Sequence, residues 1–400
     1  MPWKETTKME LRLEFAKLAD REEANMSRLC RRFDISRSTG YKWLRRYRSE
    51  GKAGLKDRSR QPHTSPGRTP GHIEGAVCAV REKHPAWGGR KIRAVLRRQA
   101  EEAGEFSFGP EAVPAASTIT AILRRRGQLR EEDTDKAAGH ERFEKERPNA
   151  LWQMDFKGDF LLEGSRKKKR CYPLTVASGD HSRFAVALKA CGDQQRETVQ
   201  EHLREAFRRY GLPKRIITDH GAPWGVGMTR PDGRSYYTRL SAWLMRLGIS
   251  VSFTARAHPQ TNGKNERFNQ SLQAEVLRFE SYSGLPGYQE RFDRWRDTYN
   301  LQRPHEALGM DVPASRYEVS RRPYPEELPP VGYGAGEQEV RKVHTTGYIS
   351  FRSRRFKVGK AFGGHLVALR PAQAGEDGTE WKVYFCHQHV RTIDFDQPPR

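Results

Sequence analysis

Apolar positions along the first fifty residues recur at helical spacing, with little strand signal. The pattern predicts helices over Lys8–Ala19 and 25–33, then a turn at Asp34-Ile35-Ser36, with Ser36 capping a helix to about Arg48. In that last helix Gly40, Trp43, Leu44 and Tyr47 fall at i, i+3, i+4 and i+7 and define a buried face. The other face carries Arg37, Ser38, Lys42 and Arg45, flanked by Tyr41 and Arg46. A helix-turn-helix needs this division, one side packed on its own domain and one offering donors and aromatic surface to a DNA groove. A second helical unit is expected over 73–83, 89–99 and 117–126. Its last helix would be capped by Ser117 and would present Ser117, Thr118, Thr120 and Arg124.

From residue 148 the pattern changes. The runs NALWQMDFKGDFLL, CYPLTVASGD and SRFAVALKA predict an antiparallel meander. Next are expected a helix over 194–209, a strand over 214–218, a helix over 238–247, a strand over 251–254 and a helix entered at Gly263. Hairpin strands and then alternating helices and strands describe a mixed five-stranded sheet with helices on both faces. Short strands with Gly-containing turns after residue 340 predict a small β-barrel, basic through Arg352, Arg354, Arg355, Lys357 and Lys360. The expected organisation is a helix-turn-helix domain at 1–50, a basic linker at 51–71 and a second such domain at 72–130. A connector at 131–147, an α/β core at 148–318, a linker at 319–339 and the barrel at 340–400 complete it.

Charge narrows the partners. The chain of 400 residues has a net charge of +23, and between Arg28 and Arg68 thirteen Lys or Arg face three Asp or Glu. A surplus this large and this clustered is best neutralised by a polyanion, and nucleic acid is the natural one. No apolar run is long enough to span a bilayer, and the first residues lack the apolar stretch of a secretory signal. Five scattered cysteines without CxxC spacing fit reduced thiols, and the expectation is a cytoplasmic protein associated with the nucleic acid it binds.

Three carboxylates stand out by placement. Asp155 alternates with Trp152, Met154 and Phe156 in LWQMDF, and Asp219 ends the strand RIITDHG, at the sheet edge where α/β proteins gather their sites. Glu266 lies in the first turn of a helix whose stripe of Phe268, Leu272, Val276 and Phe279 would be buried, leaving Glu266, Gln270 and Gln273 on the free face. Acids gathered at one site repel unless cations share it, and an all-oxygen set suits Mg²⁺ or Mn²⁺. Two such ions can activate an attacking oxygen and stabilise the leaving oxygen of a phosphodiester. The segments WQMDF, ITDHG, HPQTNGKNERFN and YNLQRPHEALG resemble the integrase core of bacterial insertion-sequence transposases, relatives of retroviral integrases. The likeness covers about residues 152–317, and the flanking helical units and barrel have the same order in such proteins.

The resemblance implies an RNase H-like fold in which Asp155, Asp219 and Glu266 hold two Mg²⁺ or Mn²⁺ ions. It implies an enzyme that binds terminal inverted repeats, cleaves at the ends and joins the 3' hydroxyls to target DNA, as a homo-oligomer of at least two chains on double-stranded DNA. Lys264, Arg267 and Gln270 would contact that DNA. Two features depart from the family pattern. The 46 residues between Asp219 and Glu266 exceed the usual spacing, the excess falling in WGVGMTRPDGRSYY, and His220 stands where relatives often have Asn. Other signals point elsewhere: Asp180 reads as a turn residue, His258 as a loop residue, and Cys386, His387 and His389 lack a second pair of zinc ligands. A catalytically silent DNA-binding regulator and an RNase H-type ribonuclease are the competing functions.

Overall fold

The computed structural model describes residues 7–58, 67–102, 106–129, 147–163, 169–179, 181–225, 237–254, 263–279, 282, 284–334, 336, 339–372 and 379–396. The chain divides into two compact units, Met1–Arg68 and Thr69–Arg400.

In the first unit, α1 (Lys8–Ala19) starts in a capping box made by Thr7 and Glu10. Asn25 caps α2 (Met26–Arg32) and Ser36 caps α3 (Arg37–Glu50), the Ser36 hydroxyl accepting from the Thr39 amide at 3.1 Å. Each cap satisfies an amide that the first helical turn leaves without a partner. Phe15, Ala16, Cys30, Trp43 and Leu44 make the core. Gly40 is required where the helices cross, since a Cβ there would lie 2.6 Å from Cys30 Sγ and 2.9 Å from Phe15 Cζ. Residues Gly51–Leu55, which the sequence places in a linker, form a 3-10 turn that buries Leu55 in the same core, and Arg12 donates to the Leu55 carbonyl at 3.0 Å.

The second unit begins with α4 (Gly71–Lys83), α5 (Gly89–Glu101) and α6 (Ala116–Arg125), packed around Trp87, Ile92, Leu96, Ile119 and Leu123. Ser117 is not the cap of α6. The helix starts a residue earlier, after an extended Ala115 that supplies no side-chain cap, because α5 and α6 meet backbone to backbone at this point. A Cβ on Gly89 would lie 2.4 Å from the Ala116 carbonyl oxygen and 2.6 Å from Thr120 Oγ1.

Next comes the mixed sheet: β1 (Trp152–Phe156), β2 (Phe160–Leu161), β3 (Arg170–Ser178), β4 (Ala185–Cys191), β5 (Arg215–Thr218) and β6 (Ser250–Phe253). Strands β1, β3 and β4 pair antiparallel, while β1–β5 and β5–β6 pair parallel. These are the five strands expected. The two-residue β2 is a sixth, formed because the chain turns back at Gly158 (φ 82°) and sets Phe160 against Cys171 on β3. Helices α7 (Arg196–Tyr210) and α8 (Arg239–Arg246) cover one face, with Leu203, Phe207 and Trp243 packed on Trp152, Met154 and Val176. The other face is covered by α9 (Gly263–Leu272) and α10 (Gly284–Leu301), with Phe268, Leu272, Phe292 and Trp295 packed on Ala185 and Leu188.

At the C-terminal end, β7 (Val340–Lys342), β10 (Leu366–Pro371), β11 (Glu380–Phe385) and β12 (Gln388–Asp394) form a sheet in the order β12-β11-β10-β7. A separate hairpin pairs β8 (Tyr348–Phe351) with β9 (Arg354–Lys357). No ladder among the described residues joins the two, and the backbone pairing is that of two antiparallel sheets. No described helix is long and apolar enough to cross a membrane.

The close approach at Gly89 predicts that Gly89→Ala pushes α5 and α6 apart at a cost of roughly 1–3 kcal/mol. Amide hydrogen exchange along both helices should quicken; protection equal to wild type in α5 and α6 would refute the packing argument.

Candidate active site

The parallel pairing of β1 with β5 sets Gln153 opposite Ile217, and carrying that register two residues on brings Asp155 beside Asp219. Asp155 sits on the central strand, opposite Thr175 of β3, whose hydroxyl donates to the Asp155 carbonyl at 3.0 Å. Asp219 lies just past β5, where the Gly221 amide donates to its Oδ1 at 3.0 Å. Glu266 is exposed in the first turn of α9.

Two residues that sequence reasoning passed over tie α9 to the strands. Asn265 is 1% exposed and reaches the Thr175 hydroxyl at 3.4 Å, and Asn269 Nδ2 donates to Asp155 Oδ2 at 3.3 Å. Their i, i+4 spacing around Glu266 in NERFN is a signal that they share a helix face. The expected apolar stripe holds for Phe268, Leu272 and Val276, all buried. Phe279 is only half-buried, because a π-helical turn at Gln273–Leu277 inserts an extra residue and shifts the helical phase of the positions after it.

Asp155 feels both of the other carboxylates. Burial, then the charge of Asp219, push the Asp155 carboxyl up to about 6; the Phe156 amide and Asn269 oppose this, and Glu266 adds a smaller push. Lys157, two residues along, donates to Gln273 at 2.6 Å instead of turning to Asp155. Among the described residues no three His, Cys, Asp or Glu converge closely enough to ligate one ion together. What the site offers is pairwise, Asp155 with Asp219 and Asp155 with Glu266. That donor set still fits Mg²⁺ or Mn²⁺, which take one or two carboxylates and complete their shells with water and phosphate oxygens. Asn269 Oδ1, on the amide that donates to Asp155, is buried without a hydrogen-bond partner.

His220 is held away from this cluster, its Nε2 2.9 Å from the Thr254 carbonyl and its ring stacked on Phe253. The long insertion is clasped at its base: Gly225 bridges Tyr237, and the Trp224 carbonyl accepts from Thr238 and Ser241 at 3.2 and 2.9 Å. Residues 226–236, Asp180 and His258 lie outside the described residues, as does the Lys264 side chain. Arg267 and Gln270 are exposed on α9.

On α3 the structure leaves Arg37, Ser38, Tyr41, Lys42 and Arg45 exposed and Arg46 half-buried over Trp43. On α6, Ser117, Thr118 and Arg124 are exposed, but Thr120 is turned to α5 and its hydroxyl donates to the Ala116 carbonyl at 2.9 Å, which takes it off the free face. His387 meets Ser250 and His389 meets Thr392, each at 3.1 Å.

A carboxyl whose folded pKa is raised stabilises the fold most when protonated, so stability is greatest below about 4 and falls as pH rises towards about 6. Asp155→Asn, without added metal, should therefore be more stable than wild type at pH 7.5 by roughly 1–3 kcal/mol, with the gap closing near pH 4. Denaturant titrations at the two pH values check this, and a gap independent of pH would contradict it.

Two integrase core domain models match residues 145–259 and 247–313, and the IS481 family transposase C-terminal domain matches 338–398. A helix-turn-helix domain matches 11–63 and a homeodomain-like domain 39–113. The chain is 27% identical over 228 residues to an uncharacterised protein of insertion element IS407 from Burkholderia multivorans, covering 57% of this chain and 74% of that one. It is 25% identical over 262 residues to transposase InsD of the Escherichia coli insertion element IS2, covering 62% and 80%. Among solved structures it is similar to a chain of the simian T-cell lymphotropic virus intasome in complex with PP2A regulatory subunit B56 gamma, with 14% identity, 77% and 98% coverage and a TM-score of 0.36. The HTLV-2 integrase catalytic core domain in complex with magnesium has 15% identity, 43% and 99% coverage and a TM-score of 0.32. In its matched segments the chain is similar to bacterial insertion-sequence transposases with an integrase-like core.

Proposed function

We propose that the chain is a DNA transposase that binds the terminal inverted repeats of its element, cleaves at the ends and joins the freed 3' hydroxyls to target DNA. The observation that carries this reading is the β1–β5 register that brings Asp155 beside Asp219, with Asn269 of the helix bearing Glu266 bonded to Asp155, in a chain matched by integrase-core and helix-turn-helix models. The three residues would hold two Mg²⁺ or Mn²⁺ ions. Bound there, the ions supply positive charge at the attacking and leaving oxygens of a phosphodiester.

The chain's own residues arrange the rest. Thr175 and Asn269 hold Asp155 in place, and Arg267 and Gln270 are exposed on α9 where they can take backbone phosphates beside Glu266. In the first step a water oxygen attacks phosphorus and the 3' oxygen leaves. In the second that 3' hydroxyl attacks the target and the target's own 3' oxygen leaves, so no bond to the enzyme forms. Joining two ends needs two such sites, hence an assembly of at least two chains on DNA. Repeat recognition falls to Arg37, Ser38, Tyr41, Lys42, Arg45 and Arg46 on α3 and to Ser117, Thr118 and Arg124 on α6. Arg352, Arg354 and Arg355 on the C-terminal hairpin, whose sheets would wrap as a small barrel, add phosphate contacts.

With Mg²⁺ or Mn²⁺ and DNA carrying the element's ends, wild type should nick at the ends. Glu266→Gln should be slower by roughly 100-fold or more, since losing a metal ligand removes several kcal/mol of transition-state stabilisation. Equal rates would reject the carboxylate assignment, and degradation of RNA–DNA hybrids in place of end nicking would favour a ribonuclease. The reader helix has a separate test. Lys42→Ala with Arg45→Ala should weaken repeat binding about 10-fold or more and reduce the salt dependence by about two phosphate contacts; unchanged affinity would show that α3 is not the reader.

A further inference from the structure

Beyond Glu266 the same helical run carries another acid, Glu275, in the π-helical turn. Its carboxylate is 8% exposed, yet three donors from three other segments reach it: Arg303 Nε at 2.7 Å, Trp295 Nε1 of α10 at 3.0 Å and Lys91 Nζ of α5 at 3.5 Å. Arg303 is itself gripped, with Nη2 donating to Ser271 at 3.0 Å and the guanidinium lying 5.3 Å from the centre of the Tyr299 ring. Arg90 with Glu306 at 3.1 Å, and Arg98 with the Met310 carbonyl at 3.4 Å, extend the seam between α5 and the core towards solvent.

The charge balance of this cluster favours a reversible contact. Glu275 and Arg303 already neutralise each other inside the core, and Lys91 adds a second, half-buried cation. Burying an ammonium costs several kcal/mol, and apolar side chains of similar volume commonly serve stability as well or better. What an ion cluster adds is directionality: it is satisfied in one register of α5 against the π turn and unsatisfied in others. If α5 lifts away, the core keeps a neutral pair and Lys91 returns to water, so the seat is reversible without stranding a charge.

We propose that Lys91 and Glu275 are positioning residues that register the α4–α6 unit on the helix presenting Glu266, so that the placement of Glu266 beside Asp155 depends on that unit being seated. The inference rests on the reading of Asp155, Asp219 and Glu266 as the reacting site. A helical unit engaged on DNA thereby acts on the catalytic helix through a contact that itself touches neither DNA nor the reacting atoms.

The test uses the full chain with Lys91→Met, Glu275→Gln and the conservative Lys91→Arg. In Lys91→Met, hydrogen exchange should quicken along α9 as well as α5, affinity for end-containing DNA should stay within about threefold, and nicking should slow about tenfold with more metal needed for half-maximal rate. A tenfold loss corresponds to about 1.4 kcal/mol of barrier. Lys91→Arg should recover most of the rate, and Glu275→Gln, which also leaves Arg303 unpaired, should lose at least as much rate and α9 protection as Lys91→Met. The proposal is overturned if exchange in α9 stays at the wild-type level while α5 loosens, or if the rate falls only in step with DNA affinity. A wild-type protein that fails to nick with either metal would instead defeat the reading of the reacting site, and the exchange measurement would still decide the role of Lys91.

Discussion

A carboxylate placed at a half-buried strand end beside two others is a costly arrangement, because burial and like charge both oppose its ionisation. Asp155 occupies that position, and much of the core can be understood as the apparatus that keeps it there. Its strand is central, with β3 on one side and β5 on the other, so both edges of its backbone are paired. The parallel register with β5 delivers Asp219, and the loop after it turns tightly enough for the Gly221 amide to reach the Asp219 carboxylate. Helix α9 buries Phe268 and Leu272 against the sheet, and this anchoring leaves the opposite side of its first turn to Glu266. Cations with room for phosphate oxygens relieve such a cluster, and a phosphodiester brings those oxygens with it.

Much of this was legible because each signal is local. The alternation of Trp152, Met154 and Phe156 with Gln153 and Asp155 comes from strand geometry alone, and the Ser36 cap and the Gly40, Trp43, Leu44 face come from one helix. The features that escaped depend on a neighbour distant in sequence. Ser117 looks like a cap until Gly89 brings α5 against the Ala116 carbonyl, and the same crossing turns Thr120 inward. The π turn at Gln273–Leu277 breaks the periodicity that placed Phe279 in the stripe. Asn265 and Asn269 looked like ordinary polar positions because their partners, Thr175 and Asp155, lie on strands far away in the chain.

The distribution of charge obeys a related logic. Buried acids in the second unit are matched to basic side chains: Glu74, 1% exposed, is met by Arg125 and by Arg126 at 3.0 Å, and Glu275 by Arg303 and Lys91. Two side chains next to the acids bond to other partners, Lys157 to Gln273 and His220 to the Thr254 carbonyl. Much of the positive surplus lies on exposed surfaces such as α3 and the β8–β9 hairpin, where it can meet a polyanion.

Glu275 and Asp155 show two outcomes for a carboxylate in this core. Glu275 is the more buried, yet its pKa is lowered, because Arg303, Lys91 and Trp295 together outweigh desolvation. Asp155 keeps more contact with solvent, yet its carboxyl is pushed up, because its charged neighbours are acids and its hydrogen-bond donors are few. A satisfied carboxylate fixes the geometry of its surroundings; an unsatisfied one is available to a ligand. Placing both on or against one helical run, the first holding the run and the second facing its start, lets a rigid contact at one end set the geometry of a reactive one at the other.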